Sequence, residues 1–373
     1  MSHRSTRTGA SRARDRREFL TGVASAAAGL ALGSTTTLGQ AARPGTHSGG
    51  VRRIDVHHHY QSPGLTKFLE KYSEGVTQFE REPLKRGPWT LAGAIEGLDR
   101  ANIELAYTSA ATYFTRTARL HKHGAPIYSA GTFVPLARET NDYGAKVVAD
   151  SKGRFRLFAV LPQPHVDGSL EEIAHALDTL KASGFCLATH VGNSYLGDPT
   201  YAPVLDELNR RRAVVYTHPN EPEWSIDLVP GVSAAQVWYG NDTTVAIVAM
   251  LRAGVPQKYP NIRWIFSHGG GTMPFLIERM VGEPVAPKLD GTPKPGEPLY
   301  YLRNNFFYDT AQVANGAALP ALKKAVGVSQ ILFGTDYPWS TMEDHVEGVL
   351  DSGTFSPAEL SAVFRENTLR LLP

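Results

Sequence analysis

The chain contains eight short segments rich in β-branched and aromatic residues, separated mostly by stretches of helical periodicity. In order they read RRIDVHHH, IELAYTSA, RFRLFAVLP, GFCLATHV, AVVYTHP, NIRWIFSHGG, NNFFYDTA and SQILFGTDYP. Eight strands that alternate with helices fit one closed barrel better than an open doubly wound sheet, and no glycine-rich dinucleotide fingerprint follows the first segment. We therefore predict a single TIM-type (β/α)8 barrel over residues 51–373, with a C-terminal helix.

Helical stretches between these segments support the same architecture. They include TLAGAIEGLDRA, YAPVLDELNRR, TTVAIVAMLRAG and ALPALKKAV. A further stretch, SLEEIAHALDTLKAS, begins with Ser169 and has Glu172 three residues later. That spacing predicts a capping box at the start of the helix.

The amino-terminal residues 1–41 have the pattern of an export signal. Arg16 and Arg17 precede an apolar run of about fourteen residues, and Gly39 and Ala41 suit a cleavage site. We predict a twin-arginine signal peptide, a linker over residues 42–50, and a periplasmic or extracellular location after passage through the twin-arginine export machinery. The run is too short for a stable membrane span. A disordered alanine-rich arm and an uncleaved signal anchor are the alternatives.

Charge and cysteine content exclude several classes of function. The formal net charge is +2, but six arginines lie within residues 1–41, so the remaining chain carries no basic excess. A nucleic-acid partner is therefore not expected. Cys186 is the single cysteine, which rules out an internal disulfide and a cysteine-based metal cluster. Histidine and carboxylate side chains must supply any metal ligands.

Ligand-type residues collect where the predicted strands end, which is the functional face of such a barrel. His57 and His59 are two apart and share a face of the first strand, whereas His58 faces the other way and is expected to pack. Other strands end in His190, His218, His268 and Asp336. Imidazole and carboxylate groups gathered in this way predict a site for Zn²⁺ or a similar divalent ion.

Several motifs resemble the amidohydrolase-2 family: IDVHHH, YTHP, FSHGGG, FFYDTA, LFGTDYPW and ENTLRLL. The resemblance covers roughly residues 51–373. Members of this family include metal-dependent non-oxidative decarboxylases of aminocarboxymuconate semialdehyde, hydroxybenzoates and 6-methylsalicylate. The resemblance implies that His57, His59, His218 and Asp336 bind the metal, with His268 as the acid/base. Asp336 then counts as a catalytic residue as well as a ligand.

The resemblance also bears on the number of metal ions. Two-metal members of the superfamily bridge their ions with a carboxylated lysine at the end of the fourth strand, but GFCLATHVG has no lysine. We therefore expect one divalent ion per chain. Zn²⁺ is favoured by the three nitrogen donors, with Mn²⁺, Fe²⁺ and Co²⁺ as alternatives.

Substrate contacts are predicted from loops near the strand ends. Aromatic side chains suit a flat, conjugated carboxylic acid, and arginines suit its carboxylate. The candidates are Arg81, Arg279, His190, Trp224 and Trp339. In the semialdehyde decarboxylase one such arginine comes from a second subunit, so the resemblance allows a homodimer.

Two reactions fit the same predicted ligands. In a decarboxylase, His268 would deliver a proton to the carbon that loses carbon dioxide. In a hydrolase, it would take a proton from a metal-bound water that attacks a lactone, ester or amide. The resemblance favours decarboxylation of an aromatic or conjugated acid similar to 6-methylsalicylate, and the hydrolase is the alternative. A binding protein without turnover would require His268 and Asp336 to lie apart from the first-strand pair.

Overall fold

Eight parallel β-strands form the main sheet, and they follow one another in chain order around it. The computed structural model describes residues 51–72, 89–110, 121, 129–281, 289 and 291–372. Each of the eight predicted segments contains one strand of this sheet. The strands are β1 (Arg53–His59), β2 (Ile103–Ser109), β3 (Phe155–Val160), β4 (Gly184–Ala188), β5 (Val214–His218), β6 (Arg263–Phe266), β7 (Phe306–Asp309) and β8 (Ile331–Leu332).

The segment that follows β8 returns to β1 and nearly closes the sheet into a barrel. Val56 N donates to Phe333 O at 2.9 Å, and His59 N donates to Tyr337 O at 2.8 Å. Side chains reinforce this closure, because buried Asp55 accepts hydrogen bonds from Thr335 N at 3.0 Å and Thr335 Oγ1 at 2.7 Å. The predicted (β/α)8 barrel is confirmed.

The strands are buried because both faces of the sheet are covered. Every residue of β1, β4, β5 and β7 is buried. This is the pattern of a parallel sheet with side chains inside the barrel and helices outside it. Large aromatic side chains supply much of the core: Tyr60, Phe133, Phe155, Phe158, Phe185, Tyr216, Trp264, Phe266, Phe306, Tyr308 and Phe333.

Helices surround the barrel and connect its strands. Their bounds are α1 (Pro63–Tyr72), α2 (Leu91–Arg100), α3 (Ala130–Asp150), α4 (Val166–Ala174), α5 (Ala202–Arg210), α6 (Ala234–Arg252), α7 (Val255–Lys258), α8 (Met273–Val281), α9 (Pro298–Asn304), α10 (Ala318–Val326), α11 (Met342–Asp351), α12 (Pro357–Ser361) and α13 (Asn367–Leu371). No helix in the described ranges is long and apolar enough to cross a membrane.

The predicted capping box at Ser169 is wrong. Helix α4 begins earlier, after His165, so Ser169 and Glu172 both lie inside it and are buried. Glu172 instead accepts a hydrogen bond from Asn141 Nδ2 at 2.8 Å and one from Arg138 Nε at 2.6 Å. The carboxylate therefore joins α4 to α3 rather than capping a helix.

The chain ends in a helix, as predicted, and this C-terminal segment packs against the first and last strands of the barrel. A π-helical turn, Ala362–Glu366, connects α12 to α13. Asn367 Nδ2 donates to Ile331 O at 2.8 Å, and the Arg53 guanidinium lies 4.7 Å from the centre of the Phe364 ring. These contacts connect the end of the chain to β8 and β1.

Candidate metal centre

Five predicted side chains meet at the carboxyl end of the barrel. His57 and His59 lie on β1, His218 ends β5, His268 follows β6, and Asp336 follows β8. All five are buried. The Nε2 atoms of His57 and His59 are 2.9 Å apart, and the rings of His218 and His268 are centred 5.4 Å apart. The structure therefore brings these five side chains together, and the roles assigned to them stay predictions.

The two oxygens of Asp336 have different neighbours. Oδ1 lies 3.1 Å from His57 Nε2 and 3.0 Å from His59 Nε2. Oδ2 accepts a hydrogen bond from Gln312 Nε2 at 2.9 Å. His268 Nε2 is 3.4 Å from Oδ2, and this buried nitrogen makes no hydrogen bond of standard geometry with the described residues.

Hydrogen bonds on the far side of two imidazoles set their tautomers. His57 Nδ1 is 2.8 Å from Asp309 Oδ2, and His218 Nδ1 is 2.9 Å from Pro219 O. Both partners are acceptors, so a neutral ring carries its proton on Nδ1 and turns the Nε2 lone pair towards the cluster. Histidines that bind metals in proteins are commonly held in this way.

Asp309 is a functional residue that the sequence reasoning missed. It is fully buried, and its carboxylate accepts hydrogen bonds from Tyr216 Oη at 2.9 Å and from the backbone N of His268 at 2.8 Å, besides its contact with His57. Burial opposes its ionisation, but His57 outweighs that effect and holds the pKa of Asp309 below its usual value. Its position at the end of β7 was the available signal.

The HGGG turn presents His268 through an unusual backbone. His268 has φ of 54°, and each of the next three glycines also has positive φ. A Cβ added to Gly271 would lie 1.9 Å from Gly240 O, so this position has no room for a side chain. Asp336 also has positive φ, at 61°. Such conformations cost energy for residues other than glycine and are concentrated at functional sites.

Charge within the cluster changes its protonation. Burial disfavours the charged form of His57, but Asp336 and Asp309 outweigh this and raise its pKa to about 10. Burial, followed by the neighbouring histidines, holds the pKa of His218 well below its ordinary value. The side chains by themselves thus favour a doubly protonated, positively charged His57, and a bound cation would have to displace the proton on Nε2.

The donor set fits a divalent ion. One ligand atom each from His57, His218, His268 and Asp336 lies within 4.8 Å of all the others. Two nitrogen or oxygen ligands of one tetrahedral zinc ion lie about 3.4 Å apart, so the most widely separated of these atoms would have to approach each other by roughly 1.4 Å. This group contains His268 where the predicted ligand set has His59. Since His59 Nε2 also lies close to His57 and Asp336, its assignment as a ligand stays a prediction.

Among the predicted substrate contacts, His190 lies in a buried polar network. Its Nδ1 is 2.9 Å from Asp242 Oδ1, and its ring stacks on Tyr195 at 4.9 Å. Asp242 also accepts a hydrogen bond from Asn220 N at 3.0 Å, two residues after His218. Asp242 was not predicted from the sequence. The network gives His190 a role in holding the β4 and β5 ends together.

The other predicted contacts lie in more exposed places. Trp224 is 63% exposed and packs edge-on against Trp238, while Trp339 is 36% exposed just after Asp336. Arg279 is exposed in the last turn of α8. It lies about 9 Å along the helix axis from Met273, where the helix begins. Arg81 lies outside the described residues. His58 is buried and stacks on Tyr337 at 4.9 Å, consistent with packing.

The nearly closed barrel and its histidine–aspartate cluster are those of a metal-dependent amidohydrolase. The family model described as amidohydrolase, Amidohydro_2, matches residues 54–373. The chain belongs to this family.

Curated relatives of the chain are named as decarboxylases. Decarboxylase yanB of Aspergillus niger is 30% identical over 338 residues, which cover 86% of this chain and 87% of that protein. The 6-methylsalicylic acid decarboxylase of Penicillium expansum is 30% identical over 292 residues, covering 77% of this chain and 85% of that protein.

A solved structure has the same fold. The 5-carboxyvanillate decarboxylase of Novosphingobium aromaticivorans, complexed with manganese and 4-hydroxy-3-methoxy-5-nitrobenzoic acid, matches with a TM-score of 0.71 at 19% identity. The match covers 87% of this chain and 96% of that one.

Proposed function

We propose that this chain is a metal-dependent non-oxidative decarboxylase of an aromatic or conjugated carboxylic acid, similar to 6-methylsalicylate. The observation that carries the proposal is the convergence of His57, His218, His268 and Asp336 within 4.8 Å at the mouth of the barrel. Relatives that match most of the chain at 30% identity are named decarboxylases, one of them of 6-methylsalicylic acid.

His57, His59, His218 and Asp336 are the proposed ligands of one divalent ion. An ion held there supplies positive charge that polarises an oxygen of the bound acid. Asp309 and Pro219 O keep the His57 and His218 rings oriented towards the ion. Zn²⁺ suits three nitrogen donors and one carboxylate. Mn²⁺ is the alternative supported by the manganese in the carboxyvanillate decarboxylase structure.

His268 is the proposed proton donor. Its Nε2 faces the cluster and has no hydrogen-bond partner among the described residues, so it is available to a substrate. Protonation of the ring carbon that bears the carboxylate precedes cleavage of the bond between them. The electron pair of that bond returns to the ring, carbon dioxide leaves, and His268 regains a proton from solvent.

Export is a separate proposal, supported by Arg16, Arg17 and the apolar run that follows them. A twin-arginine route carries folded proteins, which suits a chain that must bind a metal and can form no internal disulfide. The location would be the periplasm or the cell exterior. Substrate contacts by Arg81, Arg279, His190, Trp224 and Trp339, and assembly as a homodimer, stay predictions.

A panel assay tests the proposed reaction. Purified protein is incubated with hydroxybenzoates, including 6-methylsalicylate, and with lactones, while release of carbon dioxide and release of acid are followed separately. We expect carbon dioxide from at least one aromatic acid, and none from protein treated with chelator. Acid release from lactones, with no carbon dioxide from any aromatic acid, would contradict the decarboxylase proposal and favour the hydrolase.

A further inference from the structure

The Asp336 carboxylate is shared between two groups of neighbours. Oδ1 faces the β1 imidazoles, with His57 Nε2 and His59 Nε2 at 3.1 and 3.0 Å. Oδ2 faces Gln312, whose Nε2 donates to it at 2.9 Å, and His268, whose Nε2 is 3.4 Å away. One oxygen therefore points to the proposed ligand cluster, and the other is held by a neutral side-chain amide.

Gln312 reaches this oxygen from a strained backbone. Its φ is 57°, although it is exposed and is not a glycine. Among the described residues, eight other than glycine have positive φ. Two of these, His268 and Gln312, face the carboxylate of a third, Asp336. This backbone conformation is unfavourable for a residue other than glycine unless its surroundings compensate. Gln312 lies three residues after Asp309. The end of β7 therefore contacts two proposed ligands, His57 and Asp336, but contributes no proposed ligand of its own.

We propose that Gln312 is a positioning residue that restricts Asp336 to one-oxygen coordination of the bound ion. The inference rests on the proposed metal-dependent function and deepens it. By occupying Oδ2 with a hydrogen bond, the amide leaves Oδ1 alone to face the ion. A coordination position is thereby kept for an oxygen of the carboxylic acid substrate.

The neutral amide suits this task better than a charged donor would. Carboxylates bind cations through one oxygen or through both, and the choice depends on what else each oxygen contacts. An ammonium or guanidinium group in place of Gln312 would oppose a nearby cation. Without any donor, Oδ2 is free to turn towards the ion and take the position that the substrate needs.

Gln312→Met and Gln312→Glu separate the effect of losing the hydrogen-bond donor from the effect of adding a negative charge. Methionine keeps the length of the side chain and the absence of branching at Cβ but removes the donor, so the backbone strain stays similar. Glutamate keeps the shape, removes the donor and adds a negative charge. Gln257→Met, at an exposed position on α7, is the matched control. The three variants and the unmodified protein are freed of bound metal with a chelator and titrated with Mn²⁺. Carbon dioxide release is then assayed at saturating Mn²⁺.

We expect Gln312→Met to bind one Mn²⁺ per chain and to raise KM for the aromatic acid about tenfold, with a smaller change in kcat. A crystal structure of this variant with Mn²⁺ should have both Asp336 oxygens on the ion. Gln312→Glu should raise KM further while binding Mn²⁺ more tightly, and Gln257→Met should match the unmodified protein. Melting temperatures should agree within a few degrees.

Unchanged KM in Gln312→Met, or a fall in kcat alone, overturns the inference. A lowered melting temperature with an unchanged KM assigns Gln312 to folding and also overturns it. The unmodified protein separates this inference from the proposed function. If it binds Mn²⁺ and releases carbon dioxide while Gln312→Met behaves identically, only the role of Gln312 fails. If it binds no ion, both proposals fail together.

Discussion

Asp309 Oδ2 lies 2.8 Å from His57 Nδ1, and both side chains are completely buried. The contact joins the end of β7 to the end of β1 across the mouth of the barrel. Because Asp309 can only accept, it fixes which imidazole nitrogen is left to face the cluster. The relationship gives β7 a function in the site although it supplies none of the proposed ligands.

Replacing Asp309 with asparagine should weaken metal binding. The amide is a weaker acceptor for His57 and can offer its NH₂ group where an acceptor is needed. We expect divalent-ion affinity and kcat/KM each to fall about 10 to 100-fold, the range found when partners of metal-bound histidines are altered. Competition with a chromogenic chelator measures the affinity. Asp206→Asn, at an exposed position on α5, should leave both quantities unchanged.

Substitution of His268 and of His218 should separate proton transfer from metal coordination. His268→Ala is expected to retain the ion while turnover falls by about 10² to 10⁴, the usual effect of removing a general acid. His218→Ala should lose the ion and the activity together. Metal analysis after reconstitution distinguishes the two. If His268→Ala also loses the ion, His268 is a ligand, as its place in the 4.8 Å group allows.

Gly271→Ala should destabilise the fold strongly. The new Cβ would lie 1.9 Å from Gly240 O, and the backbone has φ of 69°. We expect a loss of more than about 2 kcal/mol in the free energy of unfolding, since strain and a backbone clash act together. Gly353→Ala is the matched control, because φ is 62° there and no atom lies within 4 Å of the added Cβ. Equal free energies of unfolding for Gly271→Ala and Gly353→Ala in denaturant titrations would contradict the predicted clash.

The leader prediction is tested by changing Arg16 and Arg17 to lysine. We expect an active, metal-loaded and unprocessed protein to accumulate in the cytoplasm. Arg12 and Arg14 changed to lysine are the matched control and should leave export intact. Immunoblots of cell fractions measure both, and the amino terminus of the exported form is expected near Ala42. Normal amounts of shortened protein in the periplasm after the first change would contradict a twin-arginine route.

Much of the fold could be predicted because its signals are local. Each strand has its own run of apolar residues, and alternation along β1 correctly separates His57 and His59 from His58. The error at Ser169 arose where a local motif competed with burial: Glu172 contacts Asn141 of another helix instead of capping its own. A short motif contains no information about such a partner.

The metal-binding side chains of the site could be predicted from the sequence, but the residues that hydrogen-bond to them could not. His218, His268 and Asp336 each end or follow a strand and have metal-binding side chains, so the topology alone brings them together. Asp309 also ends a strand, yet its role depends on which histidine it meets across the barrel. Gln312 has a side chain of no special chemistry, and its importance comes from a backbone conformation and one hydrogen bond to Asp336.

Metal-dependent decarboxylation at this cluster is tested most directly by titrating stripped protein with Zn²⁺ or Mn²⁺. The initial rate of carbon dioxide release from an accepted aromatic acid is measured at each addition. We predict that the rate is near zero without added ion, rises linearly, and reaches its plateau at one ion per chain. Full carbon dioxide release from the stripped protein, or a plateau that requires two ions, would contradict the account.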